Sequence, residues 1–227
     1  MTFHGRREYA GADRCPNRML RQFLSGLCAL ALLASVAFAA LPVGPETAQP
    51  MTSGSMMPPV TVRDPAGEAV DLLALIRRQP TVLIVYRGGW CPYCNTHLGE
   101  LATIEPTLTE LGYQVVALSP ERPETLRKLI AEEPPTPHRL LLSDRDMHAS
   151  AALGLAYQLT PETLTRYREY GLDLAAVPGD PEQAWLPVPA AFVVDASGMI
   201  VFAHADPDHT RRIAAADLLA AARDAVE

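Results

Sequence analysis

Thr81-Val-Leu-Ile-Val-Tyr86, followed at once by Arg87-Gly-Gly-Trp-Cys-Pro-Tyr-Cys94, is the stretch on which the reading turns. The first six residues are nearly all β-branched or apolar, as a central strand buried on both faces requires. Gly88-Gly89 breaks the strand. A helix is predicted from about Cys91 to Leu111, with Leu98, Leu101, Ile104 and Leu108 at helical spacing, a kink at Pro106 and Gly112 as its stop. Pro92 suits the first helical turn, where no amide hydrogen bond is lost.

A Cys-x-x-Cys pair between a buried strand and a helix start reads as redox chemistry. Unpaired amides and the positive end of the helix dipole favour a thiolate at Cys91. Cys94 lies one turn further in, and Cys91 is expected nearer the surface. Cys91 therefore attacks a disulfide sulfur, and Cys94 resolves the mixed disulfide. Arg87 adds positive charge if its side chain turns toward the sulfur. Trp90 is expected over the disulfide, with Tyr93 facing solvent or a partner. His97 reads as a half-exposed helical histidine and Glu100 as a surface residue. The pair is not a complete zinc site, because no second Cys pair or fourth ligand accompanies His97. No metal and no cofactor are implied. His138, His148, His204 and His209 are scattered along the chain, and Tyr157, Tyr167 and Tyr170 form either a satellite cluster or a partner groove.

Outward from this motif, Val60 to Val62 reads as a short strand, Asp64 to Gly67 as a turn, and Val70 to Arg78 as a strand running into a helix. Val115 to Leu118 is a strand, Pro123 to Glu132 a helix, and Leu140 to Leu142 a strand followed by a helix through Ala149 to Leu153. Residues 155 to 187 show little periodicity apart from a helix start at Thr160-Pro161-Glu162, running through Tyr167. Ala190 to Val194 and Met199 to Ala203 form a hairpin around Asp195 to Gly198. Ile213 to Val226 is an Ala-rich closing helix. Strand–helix alternation ending in a hairpin means α/β with a mixed central sheet.

This order of elements, together with Tyr86 to Asn95, Leu186-Pro-Val-Pro-Ala-Ala-Phe-Val-Val-Asp195, Gly198 and Asp206-Pro-Asp-His-Thr-Arg211, resembles the peroxiredoxin-like branch of the alkyl hydroperoxide reductase/thiol-specific antioxidant family, within the thioredoxin superfamily. The resemblance covers about residues 58 to 226. It implies a thioredoxin-like fold whose central sheet is flanked by helices, with an N-terminal β extension and an insertion before the cis-Pro strand. Pro189 matches the superfamily's cis-proline and would leave the Val188 backbone to pair with a bound chain; Pro187 is the competing position. Two departures stand out. The peroxiredoxin Pro-x-x-x-Thr-x-x-Cys motif is absent: seven and three residues before Cys91 stand Ile84 and Gly88, and before Cys94 stand Arg87 and Cys91. The buried acid that thioredoxins place six residues before the first Cys is here Val85, so proton transfer falls to water, Glu100 or His97.

The N-terminal region reads differently. Arg6, Arg7, Arg14, Arg18 and Arg21 precede an uncharged run from Phe23 to Leu41 that ends in small residues, Ala37-Phe-Ala39. This is the pattern of a signal peptide over residues 1–39 or of an uncleaved membrane anchor. Pro42 to Pro59, rich in Pro, Gly, Ser and Thr, reads as a flexible linker, giving a redox domain over 60–227. The whole chain of 227 residues carries 19 basic and 26 acidic groups, a formal charge of -7. Loss of residues 1–39 removes five arginines and two acids and leaves 14 basic and 24 acidic groups. That balance excludes a general nucleic-acid binder. The same cut removes Cys15 and Cys28, and a lone pair two residues apart is no disulfide scaffold. A periplasmic or extracytoplasmic location is expected, with a membrane tether through residues 23–41 as one form of it.

Three functions follow from this reading. The first is thiol–disulfide exchange with protein or small-molecule thiols and disulfides. The second is reduction of hydroperoxides, with Cys91 peroxidatic and Cys94 resolving. The third, copper handling on the same fold, ranks last, because such carriers space their cysteines by three residues and add a His.

Overall fold

The computed structural model describes residues 43–132 and 135–225. The predicted signal or anchor over 1–39 lies outside the described residues, as does the whole apolar run 23–41. No helix among the described residues is long and apolar enough to cross a membrane.

Ten strands and seven α-helices are described. In chain order they are β1 (Thr61–Arg63), β2 (Ala69–Asp71), α1 (Leu72–Arg78), β3 (Thr81–Val85), α2 (Pro92–Ala102), α3 (Glu105–Glu110), β4 (Gln114–Ser119), α4 (Pro123–Glu132), β5 (Arg139–Ser143), α5 (His148–Ala152), β6 (Ala156–Gln158), α6 (Pro161–Glu169), β7 (Ala175–Val177), β8 (Asp180–Pro187), β9 (Ala190–Val194), β10 (Ile200–Ala205) and α7 (Ala215–Asp224). Seven strands form a mixed sheet in the order β10-β9-β3-β4-β5-β1-β2. Strands β3, β4 and β5 are parallel, and β9 runs antiparallel to β3.

All five residues of β3 are buried, because helices cover both faces of the sheet. Leu83 and Val85 join Leu72, Ile76, Val116, Leu118 and Phe192 on one face. Val82 and Ile84 join Leu101, Leu108, Val193 and Leu218 on the other. The period of two in β3 thus divides its side chains between two cores. Register pairs Val85 with Ala190, which brings Pro189 to the carboxyl end of β3, where the cysteine motif begins.

Four expectations need correction. The helix predicted through Leu111 is two helices, α2 and α3: Pro106 falls in the first turn of the second, so the chain breaks before it and restarts instead of kinking. Residues 155–187 hold a second sheet, β6-β8-β7, as well as α6. Its strands escaped pattern reading because β6 and β7 are three residues long and β8 lacks alternation, with Asp180, Pro181 and Glu182 exposed at its start. The segment read as a linker is bonded to the domain over its described part, from Val43. Amides of Gln49, Met51, Gly54 and Met57 donate to carbonyls of Gly154, Leu153, Ile200 and Gly198, and Met57 is 2% exposed. Gly154, at φ +71, is required there, since a Cβ would collide with the Gln49 carbonyl. Finally, every described peptide bond is trans, including Val188–Pro189 and Leu186–Pro187. The Val188 amide donates to the Leu155 carbonyl at 2.9 Å, so it is not free to receive a bound chain.

Candidate active site

The site forms where β3 gives way to α2. Gly88 takes φ +139, a conformation that side chains resist, and a Cβ there would lie 2.5 Å from Trp90 Nε1. Only glycine lets the loop fold back beneath the indole. The Cys91 amide donates to the Gly88 carbonyl at 3.1 Å, and Asn95 Nδ2 donates to the Gly89 carbonyl at 2.8 Å. These bonds leave Cys91 as the N-cap of α2, with Pro92 in the first turn. Both cysteines are buried and reduced, each about 1% exposed. Cys91 is therefore not exposed at the surface, contrary to the expectation, although Cys94 is the more densely surrounded of the two, as expected.

The pair is electrostatically asymmetric. Hydrogen bonding from Cys94, followed by the charges of Arg87 and Arg212, lowers the Cys91 pKa to about 6 against the opposing effect of burial. The same coupling and burial push Cys94 up. One proton shared by two close sulfurs stays with the deeper one.

Arg87 is 3% exposed and turns into this region. Its Nη2 donates to the Tyr167 hydroxyl, and its guanidinium carbon lies 5.1 Å from the Trp90 ring and 5.5 Å from the Tyr167 ring. Trp90 and Tyr167 meet edge to face at 5.6 Å. Trp90 thus packs on the cysteine cluster and on Arg87 together. Tyr93 is half exposed, and its ring meets His209 at 5.8 Å, nearly perpendicular. Of the three insertion tyrosines, Tyr157 and Tyr167 pack into the main core near Arg87, while Tyr170 is exposed.

Two side chains outside the predicted set belong here. Arg212 Nη2 lies 3.6 Å from Cys94 Sγ. Glu121, buried two residues past β4, accepts from Ser119 Oγ at 3.1 Å and lies beside Gly89 and Tyr86. Burial raises its carboxyl. Burial and the Glu121 charge also raise Tyr86, which packs against both cysteines. Arg212 stands one residue past the quoted Asp206–Arg211 motif, and Glu121 is an acid two residues past an otherwise apolar strand. Those were the available signals.

His97 departs from its reading as half-exposed. It is buried, and burial together with the Arg212 charge lowers its pKa to about 4. Its Nε2 lies 3.1 Å from the Ile213 carbonyl, which can only accept, so the neutral ring donates there and ties α2 to the segment before α7. Glu100 is exposed. A groove of about 320 Å³ is lined by Tyr86, Gly89, Asn95, Leu98, Leu129 and Arg139, among others, but by neither cysteine. Among the described residues, no cluster of three or more His, Cys, Asp or Glu is placed to hold a metal.

The AhpC/TSA family model matches residues 53–203, more than half of the chain. This chain belongs to the AhpC/TSA family. Thiol-dependent oxidoreductase or peroxidase chemistry goes with that membership. A curated relative, prostamide/prostaglandin F synthase from Salmo salar, is 38% identical over 56 residues, which is 25% of this chain and 28% of that protein. The chain thus matches little more than a quarter of that relative's length. Peroxidoxin BcpB from Mycobacterium tuberculosis superposes with a TM-score of 0.57 at 18% identity, covering 77% of this chain and 97% of that one. Peroxiredoxin 5 from Alvinella pompejana gives 0.59 at 17% identity, over 77% and 99%. These likenesses establish the thioredoxin-like fold. Within the AhpC/TSA frame, Ile84 and Gly88 still stand where a peroxiredoxin would carry Pro and Thr, and both belong to the strand and loop that set up Cys91.

Proposed function

We propose that this AhpC/TSA protein is an exported thiol–disulfide oxidoreductase that cycles Cys91 and Cys94 between dithiol and disulfide. The asymmetry of the pair carries the reading: Cys91 is held as the thiolate nucleophile at a helix N-terminus, and Cys94 keeps the proton until it resolves the mixed disulfide. Trp90, Pro92 and Tyr93 frame Cys91, Arg87 supplies charge, and Val188 and Pro189 close the same end of the sheet. Export rests on the basic flank and apolar run of residues 6–41, either as a cleaved signal or as a membrane tether. Burial of both sulfurs favours a second reading, peroxide reduction, because a hydroperoxide reaches a covered thiolate more easily than a protein disulfide does.

One experiment separates the two. The reduced protein is mixed in a stopped-flow instrument with hydrogen peroxide or with oxidised glutathione, and tryptophan fluorescence is followed against a Cys91→Ser control. Rapid oxidation by the disulfide, lost in the control, with peroxide no faster than toward a free thiolate, supports exchange. Fast oxidation by peroxide alone supports the peroxidase.

A further inference from the structure

The segment between β10 and α7 covers the second cysteine. His209 stacks on Tyr93, the Ile213 carbonyl accepts from His97, and Arg212, held between these contacts, lays a guanidinium 3.6 Å from Cys94 Sγ. The ion pairs among the described residues pair Arg122, Arg139, Arg145, Arg168 and Arg211 with carboxylates and leave Arg212 out. Its Nη1 donates to the Arg211 carbonyl, and the side chain is half-buried. A guanidinium that is half desolvated, unpaired with any carboxylate among the described residues and in contact with the Cys94 sulfur complements a thiolate there most directly, beyond its more distant support of Cys91. Cys94 is nevertheless the cysteine that keeps its proton in the resting dithiol. Its negative charge arises transiently, when the disulfide opens.

We propose, on the cycle stated under Proposed function, that Arg212 is a catalytic residue of the reductive half-reaction, where it stabilises Cys94 as the leaving thiolate. A reducing thiolate attacks Cys91 Sγ. A new S–S bond forms to Cys91, the Cys91–Cys94 bond breaks, and its electron pair goes to Cys94 Sγ beside Arg212. A second thiolate attacks the reductant's sulfur in the mixed disulfide and releases Cys91 as thiolate. Two thiols become one disulfide, the protein disulfide becomes a dithiol, and Cys94 takes a proton from water. A better-stabilised leaving thiolate departs faster, so Arg212 governs the rate of reduction.

The test compares wild type, Arg212→Met and Arg212→Lys as full-length proteins. Each is oxidised, the Cys91–Cys94 bond is verified by peptide mass, and reduction by glutathione is followed at pH 7. Cys91 alkylation in a Cys94→Ser background provides a second readout. The expected result is reduction slowed about tenfold in Arg212→Met, recovery of most of that rate in Arg212→Lys, and a smaller fall in Cys91 alkylation than in reduction, because Arg212 is only the lesser of the two charges that favour the Cys91 thiolate. Equal reduction rates in wild type and Arg212→Met overturn the assignment, as does equal slowing in Met and Lys, which would make the contact one of packing. If no Cys91–Cys94 disulfide forms in the wild type, the redox cycle itself falls, and Arg212's role with it.

Discussion

Arg87 Nη2 donates a hydrogen bond to the Tyr167 hydroxyl across 80 residues of sequence. This bond joins the active-site loop to helix α6 of the insertion. The Arg87 Nε, in the same buried environment, has no partner among the described residues, so the tyrosine is a principal tie on a desolvated cation. Tyr167→Phe keeps the ring that Trp90 meets but removes the acceptor. The expected loss is about 1.5–3 kcal/mol of stability, the range for a hydrogen bond to a charged group. Denaturant unfolding of the reduced protein measures it.

Reactivity of Cys91 should follow its lowered pKa. The thiolate is favoured in the folded protein, so alkylation by iodoacetamide rises as pH increases through about 6, well below the ordinary thiol value of 9.0. Removing a positive charge disfavours the thiolate, and Arg87→Met should move the midpoint upward. The profile of alkylation rate against pH, with the Cys91 adduct distinguished from any on Cys94 by peptide mass in both proteins, reads the shift directly.

His97 predicts an acid-side loss of stability. Its folded pKa, about 4, lies below the ordinary value of 6.5 because burial opposes the charged ring. The unfolded chain therefore binds the proton first, and stability falls as pH drops from about 6.5 toward 4. His97→Gln retains an amide donor for the Ile213 carbonyl and removes the titration. Melting temperatures from pH 7 to 4 should decline less steeply in the variant than in the wild type.

Met57 tests the docking of the N-terminal segment. It is 2% exposed and packs in the main core, while its amide donates to the Gly198 carbonyl. Met57→Ala should cost about 2–5 kcal/mol, as for other buried large-to-small changes. A loss below 0.5 kcal/mol in chemical denaturation would mean that the segment does behave as a linker.

The parts of this fold that were legible in sequence are those with strong local patterns. Strand β3, helix α4 with Pro123 at its start, and the Asp195–Gly198 hairpin turn declare themselves through apolar runs, proline and glycine. The N-terminal segment misled because proline and glycine suppress periodicity without preventing backbone hydrogen bonds to a neighbour. The small sheet was hidden for a related reason: β6 and β7 are held by pairing with β8, and three residues carry no pattern of their own. At the site, the cysteines and their surrounding loop were readable, because the chemistry and the turn are contiguous. Arg212, Glu121 and Tyr167 were not, since each reaches the cysteines or their loop only through tertiary packing. Burial of His97 depended likewise on the segment before α7.

The most direct test of the account is peptide mapping by mass spectrometry of the full-length protein after one equivalent of disulfide oxidant, and again after reduction by a small thiol. The account predicts a single bond linking Cys91 to Cys94, formed and reopened reversibly, with a trapped mixed disulfide on Cys91 when Cys94 is replaced by Ser. Adducts that collect on Cys94 instead, or a Cys91 that oxidises without ever bonding to Cys94, would contradict it.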